Sequence, residues 1–381
     1  MLLPAHGFVL PSVHRMGRLV GGDVDRTGRV QDGRVKLSLE GCSQTPMNGR
    51  LANLALLVVV PLAAATGFMM FVLGSGPVWP VAILHGVVAL LVVVLVPWKS
   101  PVVRRVLRRA GRQQRPGRVT SLVLGISVVL ALVTGIVHVV GVLFASSTVT
   151  TLQLHVGVGI LAVVLTVAHA LQRRVRSRRT DLSRRSFVRL GVLTAVAIML
   201  EAGVQATGAL TARRGIRRPT GSFQLASSSV TAIPATSWLF DQVPELDLTS
   251  WRLAVTAGGS SRDWSLAELA RWQDRQVAVL DCTGGWWTEQ EWSGVRLSRL
   301  LPPGAGGTVD VTSATGYSRR LPLTDQLLLA TAIDGVSLSP AHGAPARLVV
   351  PGRRGYHWVK WVVRISHDDR PWWVEPPLPV H

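Results

Sequence analysis

The 381 residues carry 41 Lys and Arg against 21 Asp and Glu, a balance that makes a nucleic-acid partner the first class to weigh. The placement of the charge excludes it. Eight basic residues fall between Lys99 and Arg118 without an acid, and eight more between Arg173 and Arg189 face Asp181 alone. Both groups abut long apolar runs, the positive-inside pattern of cytoplasmic loops.

Residues 1–50, rich in Gly, Arg and polar side chains, read as a disordered cytoplasmic tail with no signal-peptide order. Apolar stretches follow at about 51–73, 79–97, 120–144 and 150–171, each long enough to span a bilayer as helix. With the tail and both basic loops inside, the links Gly74–Pro77 and Ser146–Thr150 are expected outside. This topology separates the two cysteines, Cys42 and Cys282, and leaves Cys282 a free thiol outside the cytoplasm.

Ionisable residues inside a membrane are functional candidates. His155 and His169 are 14 residues apart, which puts them on one helix face about 21 Å apart along the axis. A weak internal repeat matches Thr66-Gly67 and Leu84-His85 to Thr134-Gly135 and Leu154-His155. It pairs His85 with His155 near the outer surface, with His138 at similar depth as a third candidate or a proton-handling group. The 51–172 segment here resembles four-helix membrane cytochromes that hold haem between paired helices. The resemblance implies one b-type haem ligated by His85 and His155. An inner haem lacks its second ligand, because Lys99 stands at the position equivalent to His169.

A fifth span, about 190–211, follows Ser183-Arg184-Arg185-Ser186-Phe187, which resembles the twin-arginine export signal, so 183–211 reads as motif plus helix. Positive-inside charge is the alternative. Export fits a domain that takes up its cofactor in the cytoplasm and crosses folded, although Arg213, Arg214, Arg217 and Arg218 then lie outside, against the charge rule. Glu201 falls mid-span, where a carboxylate costs about 2.5–3.5 kcal/mol and is expected to face other helices.

From about Ser222 the chain turns to Trp, Gly, Pro and short alternating segments, a mainly β (α+β) soluble domain over 222–381. Ser265-Leu266-Ala267-Glu268 is a capping box opening a short helix. Gln276 to Asp281 reads as a strand delivering Cys282, and Trp358 to Ile365 as another strand.

Two motifs carry the chemistry. Asp281-Cys282-Thr283-Gly284-Gly285-Trp286-Trp287, followed by Trp292-Ser293-Gly294-Val295-Arg296-Leu297-Ser298-Arg299-Leu300-Leu301, resembles the cysteine motif of the sulfite oxidase family of molybdenum enzymes. His342-Gly343-Ala344-Pro345-Ala346-Arg347, running on to Trp358-Val359-Lys360-Trp361, is similar to the pterin-binding half of that family. The resemblance covers about 245–373. It implies a molybdenum–molybdopterin cofactor with Cys282 as the protein thiolate, a soft ligand suited to a sulfur-rich centre. It also implies His342, Arg347, Lys360 and the main chain around Trp358 and Val359 as cofactor contacts, with Arg353 and Arg354 as further phosphate or substrate candidates. Where the family often has Asn, this chain has His342. Trp286, Trp287 and Trp292 are either core or pocket wall, and His357 and His367 are expected at the surface without a role.

The soluble part is short, about 165 residues, so sulfite oxidation is not inherited with the motif. The layout is more similar to methionine sulfoxide reductase systems, in which a membrane cytochrome feeds electrons outward. The expectation is a multi-pass membrane oxidoreductase with its catalytic domain extracytoplasmic. It would act on a small-molecule sulfoxide or N-oxide by oxo-transfer, with quinone as electron partner and no nucleic acid. Oxidation of sulfite or another small anion is the alternative reaction, and a non-catalytic membrane receptor or scaffold the alternative from another class.

Overall fold

A computed structural model describes residues 49–74, 78–108, 118–141, 149–172, 183–211, 216–225, 229–238 and 241–379. The amino-terminal tail with Cys42, the basic residues Arg109–Arg115 and Arg173–Arg179, the links at 75–77 and 146–148, Arg213, Arg214 and the Lys99 side chain lie outside this description.

Five long helices come first: α1 (Gly49–Val72), α2 (Val78–Arg108), α3 (Arg118–Val139), α4 (Thr151–Gln172) and α5 (Arg184–Thr211). Each is long and apolar enough to cross a membrane. Large apolar side chains such as Leu57, Val58, Phe68, Ile126, Ile160 and Val164 face outward, an arrangement that water would penalise and lipid does not. The bundle pairs α1 with α2 and α3 with α4, and α5 packs along α2. The interior lies around α2, where Val87, Val88, Leu91 and Leu95 meet Ala52, Val59 and Ala197. Glu201 is buried as its cost in lipid demands, lying so close to Gly86 of α2 that an added Cβ would sit 2.3 Å from its carboxylate. Ser183, the first residue of the arginine-pair motif, caps α5 by accepting from Ser186 N at 3.2 Å.

The β domain has two sheets. In the first, β5 (Trp286–Arg296) pairs along one edge with β4 (Asp274–Asp281). Along the other it meets β1 (Phe223–Gln224) at its start and β8 (Leu328–Ile333) at its end. Beyond β8 come β9 (Val336–Ser337) and β10 (Arg347–Val349). The second sheet runs β3 (Ser260–Ser265), β2 (Arg252–Ala257), β11 (Val362–Asp368), β6 (Thr308–Ser313), β7 (Ser318–Pro322). Alternating residues such as Leu253, Val255, Val309 and Val311 fill the core, with Trp292 and Leu329 from the first sheet in the same cluster. The short helix α6 (Leu266–Leu269) carries the expected capping box of Ser265 and Glu268.

One strand begins later than the sequence pattern suggests. Residues 358–361 are irregular and β11 opens only at Val362, because Trp361 adopts φ +53. A left-handed residue cannot continue a strand.

The β domain sits on the bundle ends that adjoin it in the chain. Tyr356 Oη donates to Val72 O at the end of α1 (3.4 Å), and Gly74 lies against the backbone of Gly352–Arg354. His138 of α3 bonds to Gly221 O at 2.7 Å.

Candidate active site

Cys282 occupies the tight connection from β4 to β5. Cys282 N donates to Trp286 O (2.9 Å) and Gly285 N to Cys282 O (3.1 Å), closing the loop. Gly285 has φ +92, where a side chain would be strained. Cys282 is buried, and its sulfur accepts from Gly284 N at 3.3 Å, with Thr236 Oγ1 at 3.4 Å.

Beneath the loop Asp281 is a hub. Its carboxylate accepts from Ser222 Oγ (2.6 Å), Thr220 Oγ1 (2.8 Å), Arg218 Nε (3.0 Å) and the Arg354 guanidinium. Arg354, 1% exposed, also donates to Cys282 O at 3.2 Å. A buried pair of this kind holds only while every partner is present, since a lone buried charge is strongly destabilising. Arg354 therefore fixes the Cys282 loop from behind and does not line the cavity above it.

That cavity, about 780 Å³ counting its open mouth, is lined by Cys282, His342, Arg347, Trp358 and Lys360. The structure thus brings together five of the residues expected from the sequence. Val359 is buried beside them, its carbonyl accepting from Leu348 N at 2.8 Å. Trp286 joins the lining, whereas Trp287 and Trp292 do not. His357 is buried, not superficial, and its Nδ1 has no partner.

The cations of the cavity are held in an unusual way. Arg347 is 5% exposed, donates to His342 O at 3.2 Å, and its buried Nε has no partner. Burial lowers its pKa to about 10, with Cys282 opposing the shift. Lys360 donates to Ala341 O at 2.8 Å, and burial followed by Arg347 lowers its pKa to about 7, against Cys282 and Asp241. Among the described residues neither cation forms a salt bridge, although Asp241 also lines the cavity. Both ring nitrogens of His342 are engaged, Nε2 with Ile233 O (2.9 Å) and Nδ1 with Ser339 Oγ (2.8 Å), so this ring ties two loops together at the cavity wall. Burial, then Arg347 and Lys360, lower its pKa, with the bond to Ile233 opposing.

A buried and a half-buried cation, neither in a salt bridge among the described residues, beside a thiol make a donor set for an anionic ligand that carries a soft metal. A phosphate-bearing pterin with its molybdenum fits that set.

Thr236, Trp238, Tyr317, Tyr356 and Gln153 also line the cavity, and sequence reasoning did not find them. Tyr356 falls within the second motif without having been singled out, and the others come from loops, including the approach to β7, and from α4, outside the two motifs. Thr220 and Ser222, which hold Asp281, were equally hidden.

In the bundle, His85 and His155 face each other with ring centroids 6.1 Å apart and planes at 86°. Their Nδ1 atoms bond to Ala63 O (3.0 Å) and Ala131 O (2.8 Å). Gly67 and Gly135 let each ring lie on the neighbouring helix, where an added Cβ would be 3.0 Å away. His169 bonds through Nδ1 with Ser121 Oγ (3.1 Å).

Residues 240–373 match the family described as "Oxidoreductase molybdopterin binding domain". This segment is a molybdopterin-binding oxidoreductase domain, similar to that of the sulfite oxidases. The chain is 31% identical over 168 residues to mitochondrial sulfite oxidase of Rattus norvegicus, covering 33% of this chain and 31% of that protein. It is also 31% identical over 133 residues to an Azospira oryzae chain described as a protein-methionine-sulfoxide reductase subunit, YedZ1, covering 32% of this chain and 50% of that one. The sulfane dehydrogenase SoxCD from Paracoccus pantotrophus aligns at 28% identity and a TM-score of 0.31, over 34% of this chain and 40% of that one. The chain spans about a third of the length of the sulfite oxidases it matches.

Proposed function

We propose that the chain is a membrane-anchored molybdopterin-dependent oxidoreductase that reduces a sulfoxide or N-oxide with electrons delivered through the bundle. The reading is carried by the cavity around Cys282, where, among the described residues, Arg347 and Lys360 form no salt bridge. Two-electron oxo-transfer is the chemistry that molybdenum–molybdopterin supplies when bound. Cys282 would give it the protein thiolate, and Arg347 and Lys360 would neutralise the pterin phosphate. Trp286, Trp358 and the buried loop would keep bulk water from the reacting atoms. Reduction of a sulfoxide consumes two electrons and two protons and yields a sulfide and water. A quinol in the membrane is the proposed source of both.

His85 and His155 are the proposed axial ligands of a b-type haem. Two imidazoles presented from facing helices would hold a metal between their ring nitrogens. Here the ring centroids are 6.1 Å apart. Engaging Nδ1 with a carbonyl fixes the tautomer that leaves Nε2 to ligate, the usual outer-shell device of metal-bound histidines. The β domain is proposed to lie outside the cytoplasm, with the arginine pair at the start of α5 acting in export. Sulfite oxidation is a second reading, favoured by the two cations in the cavity and by the sulfite oxidase relatives.

The test is the purified full-length protein, assayed for molybdenum and haem and against a panel of sulfoxides, N-oxides and sulfite, with the haem band as reporter. Stoichiometric molybdenum in the wild type and its loss in Cys282→Ser are expected. His155→Ala is expected to lose the haem absorbance and keep molybdenum. A fully supplied wild type without molybdenum would overturn the enzyme reading, and one without a Soret band would remove the haem.

A further inference from the structure

The seam between the bundle and the Cys282 loop is closer than anchoring requires. Thr150 and Gln153 open α4 with a reciprocal cap: Thr150 N donates to Gln153 Oε1 (2.8 Å) and Gln153 N to Thr150 Oγ1 (3.2 Å). The Thr150 hydroxyl then donates to Gly284 O at 2.8 Å, two residues past Cys282. Leu152 fills the space over Gly285, where an added Cβ would meet it at 3.1 Å. His138 stands edge-on to Phe223, with ring centroids 5.3 Å apart. The cap uses only the oxygen of the Gln153 carboxamide, and Gln153, an exposed residue, lines the cavity that holds Cys282 and Arg347.

We infer that the outer turn of α4 is a wall of the catalytic pocket, and that the Gln153 amide recognises the substrate by donating a hydrogen bond to a sulfoxide or N-oxide oxygen. The inference rests on the oxo-transfer reading given above. A neutral donor suits these substrates: the S–O and N–O oxygens carry strong partial negative charge, but the molecules have no net charge to neutralise. A sulfite dianion, by contrast, calls for a guanidinium. Its oxygen is held by Thr150 N, which restricts the swing of the side chain. The amide is therefore pre-oriented, which favours discrimination between substrates that offer an acceptor and those that do not.

Gln153→Glu keeps an oxygen for the cap and removes the donor, and Gln153→Leu removes both. Each variant is compared with wild type as full-length, cofactor-loaded protein. The substrates are methionine sulfoxide, dimethyl sulfoxide and trimethylamine N-oxide, and Kd is also titrated without turnover from the absorption of the metal centre. Both variants are expected to raise KM and Kd at least tenfold, with a smaller change in kcat and with molybdenum content at the wild-type level. Wild-type KM and Kd in Gln153→Glu would overturn the inference. So would loss of molybdenum from both variants, which would make Gln153 a cofactor contact. A wild type that turns over none of the three substrates would remove the oxo-transfer reading and the inference with it, an outcome visible before any variant is made.

Discussion

Two buried guanidinium groups serve the same loop in opposite ways. Arg354, below Cys282, is closed on the Asp281 carboxylate, Ser222 and the Cys282 carbonyl. Arg347, in the cavity above, finds one backbone carbonyl and, among the described residues, forms no salt bridge. It lies 5.5 Å from the Trp292 ring and 5.8 Å from that of Trp358, which offset part of its desolvation but bring no counter-charge. Burial alone does not separate a structural cation from a ligand-binding one. What separates them is whether the protein supplies a carboxylate, because each guanidinium leaves its Nε without a hydrogen-bond partner.

Removing the closed partner gives the largest effect. Asp281→Ala strands Arg354 and should cost about 3–5 kcal/mol, read as a fall in the melting temperature of the β domain in detergent. A small loss there would mean that Arg354 relaxes to solvent and that the two regions are alike after all. Next in size, Arg347→Met should leave the cofactor-free protein within about 1 kcal/mol of wild type or above it, because an uncompensated buried charge is gone. The same substitution should weaken retention of the molybdenum cofactor by a lost charged hydrogen bond of about 1.5–3 kcal/mol, or roughly 10–150-fold, seen by metal analysis after dialysis. A variant that unfolds but keeps its molybdenum would reverse the assignment of the two arginines.

The smallest effect sharpens the comparison through a neutral group. Burial first, then Arg319 and Arg353, lower the His357 pKa from 6.5 to about 3. Between those values the unfolded chain takes up a proton that the folded chain refuses, so stability falls as pH drops from about 6.5 toward 3. By pH 5 the loss is about 2 kcal/mol. His357→Gln should flatten the acid limb of a melting-temperature profile over that window, and an unchanged limb would place the destabilisation elsewhere.

The sequence pattern made some of this legible. Apolar length marked all five spans, and the repeat that paired His85 with His155 corresponds to two rings in contact, because a helical repeat preserves depth and facing. Local motif also delivered Cys282, Arg347 and Lys360 to one cavity. Partnership stayed hidden. Arg347 and Arg354 are seven residues apart in one motif, and only the position of Asp281, 73 residues before Arg354, tells them apart. The left-handed turn at Trp361 has no glycine to announce it. Gln153 was invisible as a pocket residue because nothing along a chain says which loop a helix end will meet.

The hydrogen bond from Thr150 to Gly284 joins residues 134 positions apart. Such a contact can close only when both the end of α4 and the Cys282 loop are in place. This sets an order of assembly. Small substrates can use the open mouth of the cavity, but a large group seated against the Cys282 loop would pass the α4 end more easily before the helix end settles over the loop than after. Cofactor exchange in the mature protein should then be slower than in the domain alone, a kinetic lock arising from chain connectivity without any added affinity.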